Sequence, residues 1–244
     1  MPEDAGRDSA VRIALVFPSL LGTYGDGGNA SVLAQRLSWR GIDATVVPVS
    51  IGDPLPAEAD ILLGGGGQDA AQGEIGADFV SRGPTLRAMA TDGVVMLAIC
   101  GTYQLLGHEF LTKDGKRIPG VGVLDVTTTG TDTRLIGNNA VDSSWGRLVG
   151  FENHSGLTDL GPDARPLGRT ESGRGNNGRD RTEGAVRDNV FGTYLHGPVL
   201  AKSPGFADEL LRRALLRRGA DCDLAPLDDS LALAAAEVAV RRPR

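Results

Sequence analysis

Six apolar residues, Val94–Ile99, run without interruption into Cys100 and Gly101, and this junction constrains the chain more than any other stretch. A short, branched, uncharged run of that length reads as a strand buried on both faces of a parallel sheet. Thr102, Tyr103, Gln104, Leu105 and Leu106 then read as the first turns of a helix whose apolar residues fold back onto the sheet. Cys100 therefore falls at a strand-to-helix corner, the geometry that lifts a nucleophile clear of a sheet. The positive end of a helix and a nearby imidazolium both favour thiolate over thiol, whose free pKa is about 8.5. The alternative is a small buried hydrophobe, the commonest fate of a lone cysteine. Small neighbours on both sides, Ala98 and Gly101, suit the corner better.

The rest of the chain supplies a setting for such a corner. Its 244 residues are enough for one large α/β domain, and 41% hydrophobic residues allow a substantial core. Strands are expected over 11–17, 42–49 and 60–63, with helices over 30–40 and 84–90, the β-α alternation of a parallel sheet covered by helices on both faces. Shorter strands at 121–128, 134–141 and 147–152 read as hairpins added to that sheet. The polar, glycine-rich stretch 172–184 reads as a mobile loop, and 189–195 as a strand that ends at His196. Two helices follow, over 206–218 and 230–240. Residues 1–10 read as a disordered tail and 11–244 as one domain.

Two glycine loops fall where strand ends of such a sheet would gather. Gly22, Gly25, Gly27 and Gly28 follow the first strand, but their spacing fits no phosphate loop and the stretch has no lysine. Asp26 or Asn29 is expected near the cap of the next helix. Gly64–Gly67 follows the third strand; the run is either a turn leading to a helix capped at Asp69 or a side-chain-free backbone aimed at an oxyanion held beside Cys100.

A net charge of -6 argues against a nucleic-acid partner. No long uncharged apolar run is present, and the first ten residues lack the basic-then-apolar layout of a signal peptide, so a cytoplasmic protein is expected. Two distant cysteines, Cys100 and Cys222, suit a reducing compartment and do not suggest a metal site.

A cysteine nucleophile needs a base, and three histidines are available. His108 lies about 12 Å along the elbow helix from Cys100, too far to reach it. His154, in GFENHSG, is expected in a turn that could line a pocket. His196 stands directly after an apolar strand, at the sheet edge where Cys100 emerges, and is the best placed of the three.

With AICGTYQLLG and GTYLHGP in view, the chain resembles the class I glutamine amidotransferases, in the branch shared by cobyric acid synthase and the small glutaminase subunit, GatD, of lipid II isoglutaminyl synthase. YGDGGN at 24–29, GGGGQD at 64–69, GFENHSG at 150–156 and GNNG at 175–178 point to the second of these. The resemblance spans roughly residues 11–218. It implies a flavodoxin-like, mostly parallel sheet and a glutaminase that uses no cofactor. By that resemblance Cys100 attacks the glutamine carboxamide and His196 moves protons, with backbone at Gly65 or Gly66 and at Gly101 holding the oxyanion. Arg134 would grip the α-carboxylate, and Gln104 would contact substrate. It further implies a Mur-ligase-like partner of the MurT type, which would activate the D-glutamate carboxylate of lipid II for amidation. A corrinoid acceptor and an inactive regulatory subunit are the competing readings.

Two departures stand out. Pro198 occupies the place, two residues after the histidine, where many of these enzymes carry an acid, so an orienting carboxylate must come from elsewhere; Glu152 and Asp26 are the candidates. Ala98 replaces the usual glycine before the nucleophile, a change small enough to keep the corner.

Overall fold

A computed structural model describes residues 10–67 and 69–242. The chain opens as β1 (Val11–Val16), α1 (Gly28–Ser38), β2 (Ala44–Val49), β3 (Ile61–Gly64), α2 (Asp69–Ser81), α3 (Gly83–Thr91), β4 (Val95–Ile99) and α4 (Gly101–Leu106). Every residue of β3 and β4 is buried, which is why neither strand shows polar alternation. The chain continues as β5 (Glu109–Leu111), β6 (Arg117–Pro119), β7 (Val126–Ser143), β8 (Gly146–Leu160), β9 (Gly168–Ser172), β10 (Thr182–Glu183), β11 (Ala185–Arg187) and β12 (Val190–Thr193), then α5 (Pro204–Arg217) and α6 (Ser230–Arg241).

The main sheet has six strands in the order β11-β12-β4-β3-β1-β2, all parallel except the edge pair β11 and β12. Four consecutive strands, β12, β4, β3 and β1, thus present their carboxyl ends side by side. In open α/β sheets that edge is where sites form. Phe206, Leu210, Leu211 and Ala214 give α5 a fully buried face, each large side chain contributing roughly 1.5–3 kcal/mol.

Three expectations fail. The hairpin strands do not extend the main sheet: β7 and β8 form a long antiparallel pair in a second six-stranded sheet with β5, β6, β9 and β10, and 121–125 is not strand. His154 lies in β8, not in a turn. Alternate residues Glu152, His154, Gly156 and Thr158 of β8 are buried, and it is their polarity that disguises the strand in the sequence.

Nor is 172–184 a loose loop. Asn176 and Asn177 are buried, and the Asn176 amide donates to Gly184 O at 2.8 Å and Thr182 Oγ1 at 3.1 Å. The buried Glu152 carboxylate accepts the Arg174 and Gly175 N–H groups at 2.7 and 2.9 Å. Polar residues hold this segment by satisfying its backbone from inside, which composition alone does not reveal.

Of the expected tail, residues 1–9 lie outside the described residues; Ala10 is buried, and its carbonyl accepts from Arg218. Among the described residues no helix is long and apolar enough to cross a membrane.

Candidate active site

Cys100 adopts φ 50° and ψ -103°, a conformation that residues with a Cβ rarely take. Such strain costs on the order of 1–3 kcal/mol and persists only where surrounding structure imposes it. Here the Cys100 N–H donates to Thr193 O of β12 at 2.8 Å, and the Cys100 carbonyl accepts from Gln104 N at 3.0 Å. The first turn of α4 also sits directly on β3: a Cβ at Gly64 would lie 2.4 Å from Thr102 Cγ2, so only glycine admits the approach. The strand-to-helix corner is therefore a real elbow.

His196 follows β12 and is clamped through its backbone to β8, donating to Phe151 O at 2.9 Å and accepting from Phe151 N at 3.2 Å. Its Nδ1 lies 2.9 Å from Asp26 Oδ2, and both side chains are buried. This leaves Nε2, also buried, as the nitrogen available to the Cys100 thiol. Burial alone would lower the His196 pKa. The hydrogen bond with Asp26 and the nearness of Cys100 outweigh it and raise the pKa to about 9.

Asp26 comes from the loop between β1 and α1, and it caps nothing: α1 begins without a side-chain cap. Its carboxylate also accepts the N–H of Gly66 at 2.9 Å and of Gly197 at 3.4 Å. Of the two acids considered from sequence, Asp26 is the one that meets His196, whereas Glu152 faces the 174–175 backbone and Asn139. Asn29, the other expected cap, accepts from Leu200 N at 3.1 Å.

The Gly66 contact bears on one oxyanion expectation. Its N–H is engaged by Asp26, because the carboxyl ends of β1 and β3 are adjacent, and so it does not point at a developing oxyanion in this structure. The lack of a side chain at Gly66 has another use. A Cβ there would lie 2.5 Å from His196 Cε1 and 2.9 Å from Cys100 Cβ, in the gap between the two. Gly101, first residue of α4, presents its N–H at the helix N-terminus. We expect Gly66→Ala to keep the fold while displacing the imidazole, lowering turnover by about 10²-fold; a thermal melt beside an ammonia-release assay checks this.

The remaining expected residues divide. Gln104 is buried, and its Nε2 donates to Tyr194 Oη at 3.1 Å, within a polar network that continues through Thr158 and Thr128. The cross-sheet position of Gly156 packs against the same amide. Gln104 thus forms part of the wall behind the elbow. Arg134 is exposed on β7, and its Nε donates to Asn153 Oδ1 at 2.6 Å. His108 pairs with Asp125 at the surface, and His154 is stacked on Tyr194 with its pKa pushed down to about 4, first by burial. Neither competes with His196 as a base.

Sequence reasoning missed Tyr24, whose ring lies 4.4 Å from that of His196, and Glu183. The latter is fully buried beneath the end of β12, where it accepts from Thr193 Oγ1 and Tyr194 N, and burial raises its pKa to about 7. Among the described residues no cluster of side chains could hold a metal ion.

A buried imidazole held by a carboxylate beside a cysteine at an elbow can deprotonate the thiol and later return the proton to a leaving amine. The CobB/CobQ-like glutamine amidotransferase domain matches residues 12–204 of the chain. Over 226 residues the chain is 37% identical to the lipid II isoglutaminyl synthase (glutamine-hydrolyzing) subunit GatD of Staphylococcus aureus, covering 91% of each protein. It is also 37% identical to the subunit of that name from Streptococcus pneumoniae, across 96% of this chain and 92% of the relative. A glutamine amidotransferase structure from Thermotoga maritima superposes with a TM-score of 0.54 at 17% identity, covering 94% of this chain and 93% of the other.

Proposed function

This chain belongs to the CobB/CobQ-like glutamine amidotransferase family, and from that premise we propose that it is the glutaminase subunit of a two-subunit, lipid II-amidating ligase. With the thiol proton already resting on His196, Cys100 Sγ attacks the carboxamide carbon of L-glutamine. The tetrahedral intermediate's oxyanion is held by backbone at Gly65 and Gly101, and it collapses when His196 returns the proton to the departing nitrogen. Ammonia leaves, and water, activated by the same imidazole, hydrolyses the glutamyl thioester to glutamate and regenerates the thiol. Arg134 holds the α-carboxylate of the substrate.

The observation that carries this reading is the meeting of Asp26, His196 and Cys100 at one edge of the main sheet, with no side chain at Gly66 to separate the last two. Asp26 also answers the inactive-subunit reading, which rested on Pro198 standing where an acid is usual.

Joining ammonia to a carboxylate needs an activated carboxylate, and neither glycine loop of this chain has the spacing of a nucleotide site. We therefore assign activation to a MurT-type, Mur-ligase-like partner in the cytoplasm, with residues 11–244 as one amidotransferase domain and the D-glutamate of the lipid II stem peptide as acceptor. The test supplies amide-¹⁵N-glutamine, ATP and lipid II to the chain with that partner. Transfer of ¹⁵N to the D-glutamate α-carboxyl is expected. Release of labelled ammonia without transfer would redirect the acceptor, to a corrinoid first, and no release with a bound partner would refute the glutaminase.

A further inference from the structure

Arg134 is a long side chain on an exposed bend, yet its geometry is set. It adjoins the register shift between Gly130 and Leu135, where β7 departs from β8, and Thr131 Oγ1 braces that bend by donating to Thr133 O and Ser155 O at 3.1 Å each. A guanidinium can only donate, so the Asn153 amide must turn its oxygen to Arg134 Nε, at 2.6 Å. Its Nδ2 is thereby directed to Tyr24 Oη, at 3.1 Å. The Tyr24 ring in turn packs on His196, and Tyr24 stands two residues before Asp26, so one loop holds the imidazole by its face and by its Nδ1.

We infer that Asn153, braced by Tyr24, is a positioning residue that holds the Arg134 guanidinium in the plane needed to grip the α-carboxylate of glutamine. The inference rests on the glutaminase reading above. With Nε held, the two Nη groups form the fork that matches a carboxylate, and the rotational freedom of a long side chain is removed before substrate arrives. The strap spans the second sheet and the β1–α1 loop, so it also ties the amino-acid end of the site to the base.

The test compares two reagents on the full chain. Iodoacetamide alkylates Cys100 without an amino-acid group to recognise; 6-diazo-5-oxo-L-norleucine, a glutamine-shaped electrophile, requires one. Asn153→Leu is expected to slow labelling by the glutamine analogue about tenfold or more at subsaturating concentration while iodoacetamide reacts at the wild-type rate. Arg134→Gln should behave alike, and the double variant should be no slower than Arg134→Gln alone, because both changes remove one interaction. Tyr24→Phe, which keeps the ring and deletes the hydroxyl acceptor, should slow the analogue by a smaller factor in the same direction.

Unchanged labelling of Asn153→Leu by the analogue, or additive losses in the double variant, would overturn the inference. Equal slowing by both reagents would do so too, since that marks a general disturbance of the site. A wild-type chain that accepts iodoacetamide but never the analogue would remove the glutaminase reading and this inference with it.

Discussion

Cys100→Ser is expected to abolish ammonia release from L-glutamine, by roughly 10⁴-fold or more, without unfolding the chain. A serine hydroxyl holds its proton far more tightly than a thiol, and His196 is tuned to stabilise a neighbouring anion through a proton it keeps up to about pH 9. The substitution changes one atom of a buried side chain and leaves the backbone at the same φ of 50°, so the elbow and its contacts with Thr193 and Gln104 persist. An ammonia assay and a thermal melt of both proteins test the two halves of this expectation. Activity retained in the serine variant would place the nucleophile elsewhere.

Asp26→Asn should lower turnover by roughly 10²–10⁴-fold, the range seen when an orienting carboxylate is neutralised. Three donors converge on Asp26, from His196 Nδ1, Gly66 N and Gly197 N. A carboxylate accepts all three, but an asparagine has one oxygen and must turn its NH₂ toward at least one donor. The wrong imidazole tautomer, or a displaced ring, follows.

The same substitution has a signature in pH. The folded His196 pKa, about 9, lies above the ordinary value of 6.5, with burial opposing the shift and the Asp26 and Cys100 contacts driving it. A raised pKa means that the folded state binds the proton more tightly, so its contribution to stability is complete below about pH 6.5 and is lost as pH rises through about 9. Denaturant midpoints should therefore fall over that window in the wild type and fall less in Asp26→Asn. The alkaline limb of kcat/KM should move toward neutral pH in the variant. A limb that stays in place would separate Asp26 from the titration of the base.

Much of this protein is legible from local sequence. The unbroken apolar run of β4, the small residues around Cys100, and a histidine placed directly after an apolar strand each carry their reading within a few residues, because burial on both faces and a sharp turn impose local composition. The second sheet was harder to see. In β8 the buried face carries Glu152, His154 and Thr158, so the strand lacks the apolar alternation that announces one, and these side chains are tolerable inside because Glu152 bonds to the 174–175 backbone, His154 to Gly156 O and Thr158 to Thr128 and Tyr194. The 172–184 segment hides its order for the same reason, since its polar residues bond inward.

What sequence alone determined, then, was the α/β class, the elbow at Cys100 and the placing of His196 directly after an apolar strand. Tertiary structure alone decided that Asp26 is the carboxylate that meets His196, that Gly66 serves it as a donor and keeps the gap beside Cys100 open, and that Asn153 joins Arg134 to Tyr24. Asp26 and His196 are 170 residues apart. Nothing near either residue encodes the other; the parallel order β12-β4-β3-β1 brings their strand ends to one edge, and hydrogen bonding across that edge selects the partners.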